Sequence, residues 1–252
     1  MHNDLILSTI PGLVKKNKFL PVNALVGKNW SGTDTKELYE QNLKTKPADW
    51  YYRNNQVRYT FNKDGYRSDE FKKIDWANSV VVFGCSNAFG VGIDDADTTP
   101  AQLSRLINKP VINMGVGGSS MMFNFHNSSI LRSNYPTPLA VVQLWPDYSR
   151  IAYYEKRNII SHGNWNQDEE DNYWHYWIKD DSHSKVHALF ASKISKTLWE
   201  DTAYCEFSFF TETAKLLDCG YLENVDEARD IMHHGPKTHA ITAQRIANMI
   251  NL

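Results

Sequence analysis

Three short apolar runs constrain this chain more than any other feature. Val80 to Phe83 ends in Gly84, Val111 to Met114 ends in Gly115, and Leu139 to Leu144 follows Pro136 and Pro138. Short apolar runs bounded by Gly or Pro fit strands buried on both faces. Helical patterns lie between them. Thr98 or Thr99 stands as cap before a helix from Pro100 to Ile107, and Ser119 or Ser120 before one that runs to about Leu131. From residue 79 the order strand, helix, strand, helix, strand predicts a parallel sheet covered by helices, an α/β domain. Val186 to Leu217 contains helical stretches. Pro236 opens a last helix, whose Ala243, Ile246, Ala247 and Ile250 form an apolar face for the sheet.

Composition excludes several classes. A chain of 252 residues reads as one large domain, or one and a half, and buries a core without staples. Its 42% hydrophobic and 22% charged content is that of a globular protein, not a disordered or fibrous one. With 27 basic and 29 acidic residues it lacks the excess of a nucleic-acid binder, and no basic cluster marks a membrane surface. No apolar run approaches the roughly 18 residues of a membrane span. The apolar stretch Leu5 to Val14 contains Pro11 and is followed, not preceded, by Lys15, Lys16 and Lys18, the reverse of a signal peptide. The expectation is a cytoplasmic protein. Cys85, Cys205 and Cys219 are too few and too scattered for a disulfide framework, which fits a reducing compartment.

Two regions flank or interrupt the alternation. Residues 1–76 form an N-terminal extension before a domain at 77–252. Within it, Val57 to Phe61, the turn Asn62-Lys63-Asp64-Gly65 and Tyr66 to Phe71 read as a β-hairpin. Residues 146–184 read as an insertion containing a hairpin. It holds the acidic stretch Asp168 to Asp171 and the aromatics Tyr153, Tyr154, Trp165, Tyr173, Trp174, Tyr176 and Trp177. Flat aromatic faces suit the sugar rings of a carbohydrate, or an acyl chain. They equally pack a hairpin or a subunit contact.

Ligands of open parallel sheets bind at the carboxyl ends of the strands. Ser86 stands there, in Gly84-Cys85-Ser86-Asn87-Ala88-Phe89-Gly90, where a tight turn can present its hydroxyl or simply cap a helix. The loop Asn113 to Ser119 carries Gly115, Gly117 and Gly118, whose backbone can approach a ligand closely. It can supply an N–H to an oxyanion or cradle a phosphate, so a phosphate or nucleotide binder is one reading. It is neither a Walker loop nor a full dinucleotide fingerprint. Asp230 and His233, three apart, can lie side by side, the carboxylate fixing the imidazole tautomer. His233, His234 and His239 also form a cluster, but the cysteines stand at no ligand spacing to them, so no metal site is assigned.

In this order the three blocks resemble the SGNH (GDSL) hydrolase superfamily over residues 79–252. Tyr59 to Arg67 resembles a hairpin that often precedes the domain, and the chain is similar to phage-encoded and bacterial members. The resemblance implies a flavodoxin-like α/β/α sandwich and hydrolysis of an acyl ester, including O-acetyl esters of carbohydrates, with no cofactor. It implies Ser86 as nucleophile, His233 as base, Asp230 as its orienting acid, and the N–H groups of Ser86 and Gly118 as the oxyanion hole. Gly84-Cys85-Ser86 replaces the family's Gly-Asp-Ser. Asp147 falls near the position of the family's oxyanion asparagine, where an ionised carboxylate cannot donate. Asn87, Gln143 and Arg150 are the candidate substitute donors. That departure keeps a second expectation open, a non-catalytic binding or structural protein on the same fold.

Overall fold

The computed structural model describes residues 5–9, 19–20, 22, 29–155, 158–163 and 181–252. In chain order its elements are β1 (Leu5–Thr9), α1 (Lys36–Thr45), β2 (Val80–Gly84), α2 (Ser86–Phe89), α3 (Thr99–Ile107), β3 (Val111–Gly115), α4 (Met121–Asn134), β4 (Ala140–Trp145), β5 (Ile151–Glu155), β6 (Asn158–His162), α5 (Ser182–Leu198), β7 (Ala203–Ser208), α6 (Thr211–Leu217), β8 (Gly220–Tyr221) and α7 (Pro236–Ile250). Among the described residues no helix is long and apolar enough to cross a membrane.

Five strands form a parallel sheet in the order β3-β2-β4-β7-β8. Counted within the sheet this is 2-1-3-4-5, the flavodoxin-like order, whose switch point lies beside its first strand. β2 is that strand. Val80 pairs with Val111 on one side and Ala140 on the other, and Gly84 with Gly115 and Leu144. The period-two alternation sends side chains to both faces. Val81, Phe83, Ile112, Met114 and Val141 pack with Leu131 of α4 and Trp199 at the end of α5. Val80, Val82, Val142 and Leu144 pack with Leu103 of α3 and with Ala243, Ile246 and Ile250 of α7. Helices therefore cover both faces, giving an α/β/α sandwich. Each Val, Leu or Ile fully buried here contributes roughly 1.5–3 kcal/mol.

Local chemistry sets the boundaries. Thr98 caps α3, accepting from the Ala101 N–H, and Pro100 occupies the first turn. Ser120, not Ser119, caps α4. Pro236 opens α7, whose first N–H groups are taken by a distant carboxylate: Asp226 accepts from Lys237 and Thr238 at 2.9 and 2.8 Å.

One expectation needs correction, and two are met with additions. The Val57–Phe71 hairpin does not form. Residues 57–61 pair with no strand, and residues 71–73 make a short 3-10 turn. The turn itself is present, with Asn62 Oδ1 accepting from the Asp64 and Tyr66 N–H groups and Gly65 at φ +83°. Val57 and Tyr59 alternate because they pack on Phe89 and Val91, not because they join a ladder. Within Val186 to Leu217 only the ends are helical. β7 lies between them, its Glu206 buried and accepting from Trp145 Nε1, Ser192 Oγ, Tyr204 OH and Lys196 Nζ. The insertion does contain a hairpin, β5–β6, but β1 joins it to make a second, three-stranded antiparallel sheet that the sequence did not announce. Trp165, Tyr173, Trp174, Tyr176, Trp177 and the acidic stretch Asp168 to Asp171 lie outside the described residues.

Close packing at the carboxyl edge depends on Gly115. A Cβ there would sit 2.3 Å from the Phe89 backbone nitrogen, whereas one at Gly117 would meet nothing within 4 Å. Gly115→Ala is therefore expected to destabilise the fold by about 1–3 kcal/mol, with Gly117→Ala close to neutral. Chemical denaturation of the two variants beside the parent checks this; equal midpoints would contradict it.

Candidate active site

Ser86 follows Gly84 and Cys85 at the carboxyl end of β2 and begins α2, a single turn. It is 7% exposed. Its Oγ donates to Cys85 Sγ at 4.0 Å, and among the described residues no hydrogen bond joins it to His233. Cys85 itself is buried at 1% exposure, pointing its sulfur away from solvent. The N–H groups of Gly90 and Val91 return to the Ser86 carbonyl at 2.9 and 3.2 Å and close a tight loop through Gly90, Val91 and Gly92. That loop carries the contact to the histidine segment: the Arg229 N–H donates to the Gly92 carbonyl at 3.0 Å.

Asp230 and His233 sit on a narrow turn closed by the Glu227–His234 bridge, just before α7. His233 Nδ1 lies 2.6 Å from Asp230 Oδ2. An ionised carboxylate only accepts, so Nδ1 carries the proton and Nε2 remains to accept one. Asp230 Oδ1 takes the N–H groups of Met232 and His233 at 3.2 and 3.1 Å. Burial alone would raise the Asp230 carboxyl; the hydrogen bonds and charge of His233 and the Thr33 hydroxyl outweigh it and hold the group below the usual carboxylate range. Between the two residues Ile231 has φ +56°. For a β-branched residue that is strained backbone, costing on the order of 1–3 kcal/mol, and the turn holds it there.

The loop after β3 approaches the same edge. The Val116 N–H and the Ser119 hydroxyl both donate to the Gly84 carbonyl, at 2.9 and 3.1 Å. Gly118 adopts φ +75°, and its carbonyl accepts from Ser161 Oγ of β6. Among the described residues neither the Ser86 nor the Gly118 N–H is donated to another group. Both remain available for an external acceptor.

The stretch that follows β4 is organised by local contacts. Asp147 Oδ1 accepts from the Ser149 N–H at 2.9 Å, so the carboxylate closes a local turn. Gln143 is fully buried inside β4 with neither amide atom hydrogen-bonded. Arg150 stacks over the Phe210 ring at 5.3 Å and lines a cavity of about 60 Å³ with Met121, Met122, Tyr148, Tyr153 and His187. Asn87 is buried in α2, beside Ser86 in sequence.

The other histidines have separate surroundings. His239 is buried, and its Nδ1 accepts from the Thr99 N–H at 2.9 Å. Burial, then the charge of His234, pushes its pKa down to about 3. His234 packs on Phe209 at 4.0 Å between ring centroids, and burial followed by the charge of His233 lowers it to about 4. Among the described residues no group of His, Cys, Asp or Glu side chains has the arrangement of a metal site.

Sequence reasoning missed Thr33. Its hydroxyl donates to Asp230 Oδ2 at 2.5 Å across 197 residues of sequence. A lone threonine in a polar segment offers no signal; only the fold brings it there.

His239 yields a pH prediction. Its folded pKa lies below the ordinary 6.5, so between 6.5 and about 3 the unfolded chain binds the proton and the folded one does not. Its stabilising contribution is complete above pH 6.5 and is lost as pH falls, by up to about 1.4 kcal/mol per pH unit. His239→Asn keeps an acceptor for Thr99 but does not titrate. Urea melts at pH 7, 5 and 4 should show a shallower acid loss in the variant; parallel curves would refute this.

No protein-family model matches the sequence, and no curated protein matches it. Solved structures do resemble it. An acetyl xylan esterase from the rumen bacterium Butyrivibrio proteoclasticus is 8% identical with a TM-score of 0.45, over 69% of this chain and 63% of that one. A member of the lipolytic G-D-S-L family from Veillonella parvula is 9% identical with a TM-score of 0.40, over 68% and 96%. A family 2 carbohydrate esterase with its carbohydrate-binding domain, from Corynascus thermopiles (Myceliophthora fergusii), is 12% identical with a TM-score of 0.41, over 69% and 67%. The chain is thus similar to esterases and to a G-D-S-L lipolytic protein over 68–69% of its length, and at 8–12% identity its chemistry is read from its own residues.

Proposed function

We propose that this protein is a serine esterase that hydrolyses a carboxylic ester, with Ser86 as nucleophile, His233 as general base and Asp230 as the group that orients it. The observation that carries the reading is the 2.6 Å contact of His233 Nδ1 with a buried carboxylate. The loop that closes on the Ser86 carbonyl holds this pair against the nucleophile segment. Such a pair leaves Nε2 basic and aimed by its partner, the condition for activating a hydroxyl.

The steps follow from the residues. When an ester binds, the Ser86 hydroxyl leaves Cys85 and donates to Nε2; catalytic hydrogen bonds are often long before substrate binds. Oγ attacks the carbonyl carbon as its proton passes to Nε2. The negative charge moves to the carbonyl oxygen, which the Ser86 and Gly118 N–H groups receive. The carbon–oxygen bond to the alcohol then breaks, and the imidazolium returns its proton to that oxygen. Water repeats the sequence on the acyl-serine, releasing the acid and restoring Ser86. Asp147, engaged in its own turn, brings no carboxylate to the oxyanion.

The cavity at the first turn of α4 has none of Ser86, Gly118, Asp230 or His233 in its lining and sets no limit on the acyl group. Its Met121, Met122 and Tyr153 offer apolar and aromatic surface. An O-acetyl ester of a carbohydrate is the substrate class proposed, a short acyl group on an alcohol that stacks on aromatic faces.

The test is intact mass after exposure to a fluorophosphonate, with hydrolysis of p-nitrophenyl acetate measured alongside. The parent is expected to take one adduct, Ser86→Ala none, and His233→Ala to react at least about a thousandfold more slowly. A parent that stays unmodified while a control esterase is labelled would refute the reading and favour a binding or structural protein on this fold.

A further inference from the structure

The segment before the catalytic domain meets the Asp230 turn through a network of buried polar groups. Asp34, 1% exposed, forms a two-pronged ion pair with Arg229, at 2.9 Å to Nε and 2.7 Å to Nη2. The same carboxylate accepts from the Tyr59 hydroxyl at 2.5 Å, and that hydroxyl accepts from the Gly92 N–H at 2.7 Å. One short chain of contacts therefore spans from Arg229, beside Asp230, to Gly92 in the loop that follows Ser86. The Arg229 guanidinium lies 4.1 Å over the Trp30 ring, and its carbonyl accepts from Asn42 Nδ2. Thr33, next to Asp34, donates to Asp230 Oδ2, the oxygen that faces His233 Nδ1.

We propose that Thr33 is a positioning residue of the active site, its hydroxyl fixing the Asp230 oxygen that aims His233, and that Asp34–Arg229–Tyr59 holds the N-terminal segment in place to deliver it. The inference rests on the esterase reading of Ser86, Asp230 and His233. The physical argument is geometric. The Met232 and His233 N–H groups hold Oδ1, while among the described residues Oδ2 meets only the imidazole it must orient and the Thr33 hydroxyl. The Thr33 hydroxyl fixes the second oxygen, so the acceptor for Nδ1 cannot swing. A hydrogen bond to a charged group in a buried site is strong and directional. Thr33 touches neither the ester nor the reacting atoms, so its effect passes through the imidazole.

The test compares the parent, Thr33→Val and Thr33→Ser. Valine keeps the shape and removes the donor; serine keeps the donor and removes the methyl. Rates of fluorophosphonate labelling, kcat and KM for p-nitrophenyl acetate, and thermal midpoints are read on all three. Thr33→Val is expected to lose about tenfold in labelling rate and in kcat, the worth of one hydrogen bond to a charged group, with KM unchanged. Thr33→Ser is expected to recover most of the loss, although it lacks the methyl. A Thr33→Val protein that labels at the parental rate overturns the proposal. So does a Thr33→Ser protein as slow as Thr33→Val, since shape rather than the donor would then matter. A loss that appears in KM alone also overturns it, because the substrate and not the imidazole would be misplaced. A parent that takes no adduct overturns the esterase reading first, and this inference with it, so the two failures are distinguishable.

Discussion

Pairing of β2 on both of its edges is the constraint from which the carboxyl edge of the molecule is built. The register of Gly84 with both Gly115 and Leu144 brings three chain reversals to one level. The Gly84 carbonyl, its strand partners left behind, accepts from Val116 and Ser119, and so fixes the loop that carries Gly118. Without side chains at residues 84 and 115, α2 can lie directly on the strand ends. A Cβ at Gly84 would meet the Leu144 carbonyl at 2.7 Å. Backbone pairing in the sheet thus sets side-chain placement at its rim, with no separate device for each residue.

The parts legible in sequence are those with local chemistry. Thr98, Pro100, Ser120 and Pro236 announce helix starts because a cap or a fixed φ acts within one turn. β2, β3 and β4 are legible because strands buried on both faces must be apolar throughout. β7 is not. Glu206 sits in its middle and reads as a solvent residue, and only the donors from Trp145, Ser192, Tyr204 and Lys196 make it tolerable inside. The extended run at Val57 to Phe61 misleads for the opposite reason. Its alternation records one-sided burial, which a packed loop shows as clearly as a strand.

The candidate site divides along the same line. Ser86, Gly118 and the Asp230–His233 pair are legible because each rests on a short motif at a strand or helix end. Thr33 and Asp34 are not, because their partners lie 197 and 195 residues away. The departure at Asp147 is legible, but its outcome is not. That Asp147 folds back on the Ser149 N–H is a local choice between turn and cleft which composition does not decide. Gln143, buried with no partner among the described residues, shows the reverse case: a polar residue whose strand position looked available and whose side chain lies inside the sandwich.

The Asp34–Arg229 pair also bears on the order in which the chain is assembled. A carboxylate at 1% exposure is tolerable only once its counter-charge is present, and here that charge lies 195 residues downstream. During synthesis the strands β2, β3 and β4 emerge and can begin to pair while Asp34 is still without its arginine. Asp34 must stay hydrated until Arg229 has also left the ribosome. Burial of the Asp34 carboxylate is then a late event in assembly.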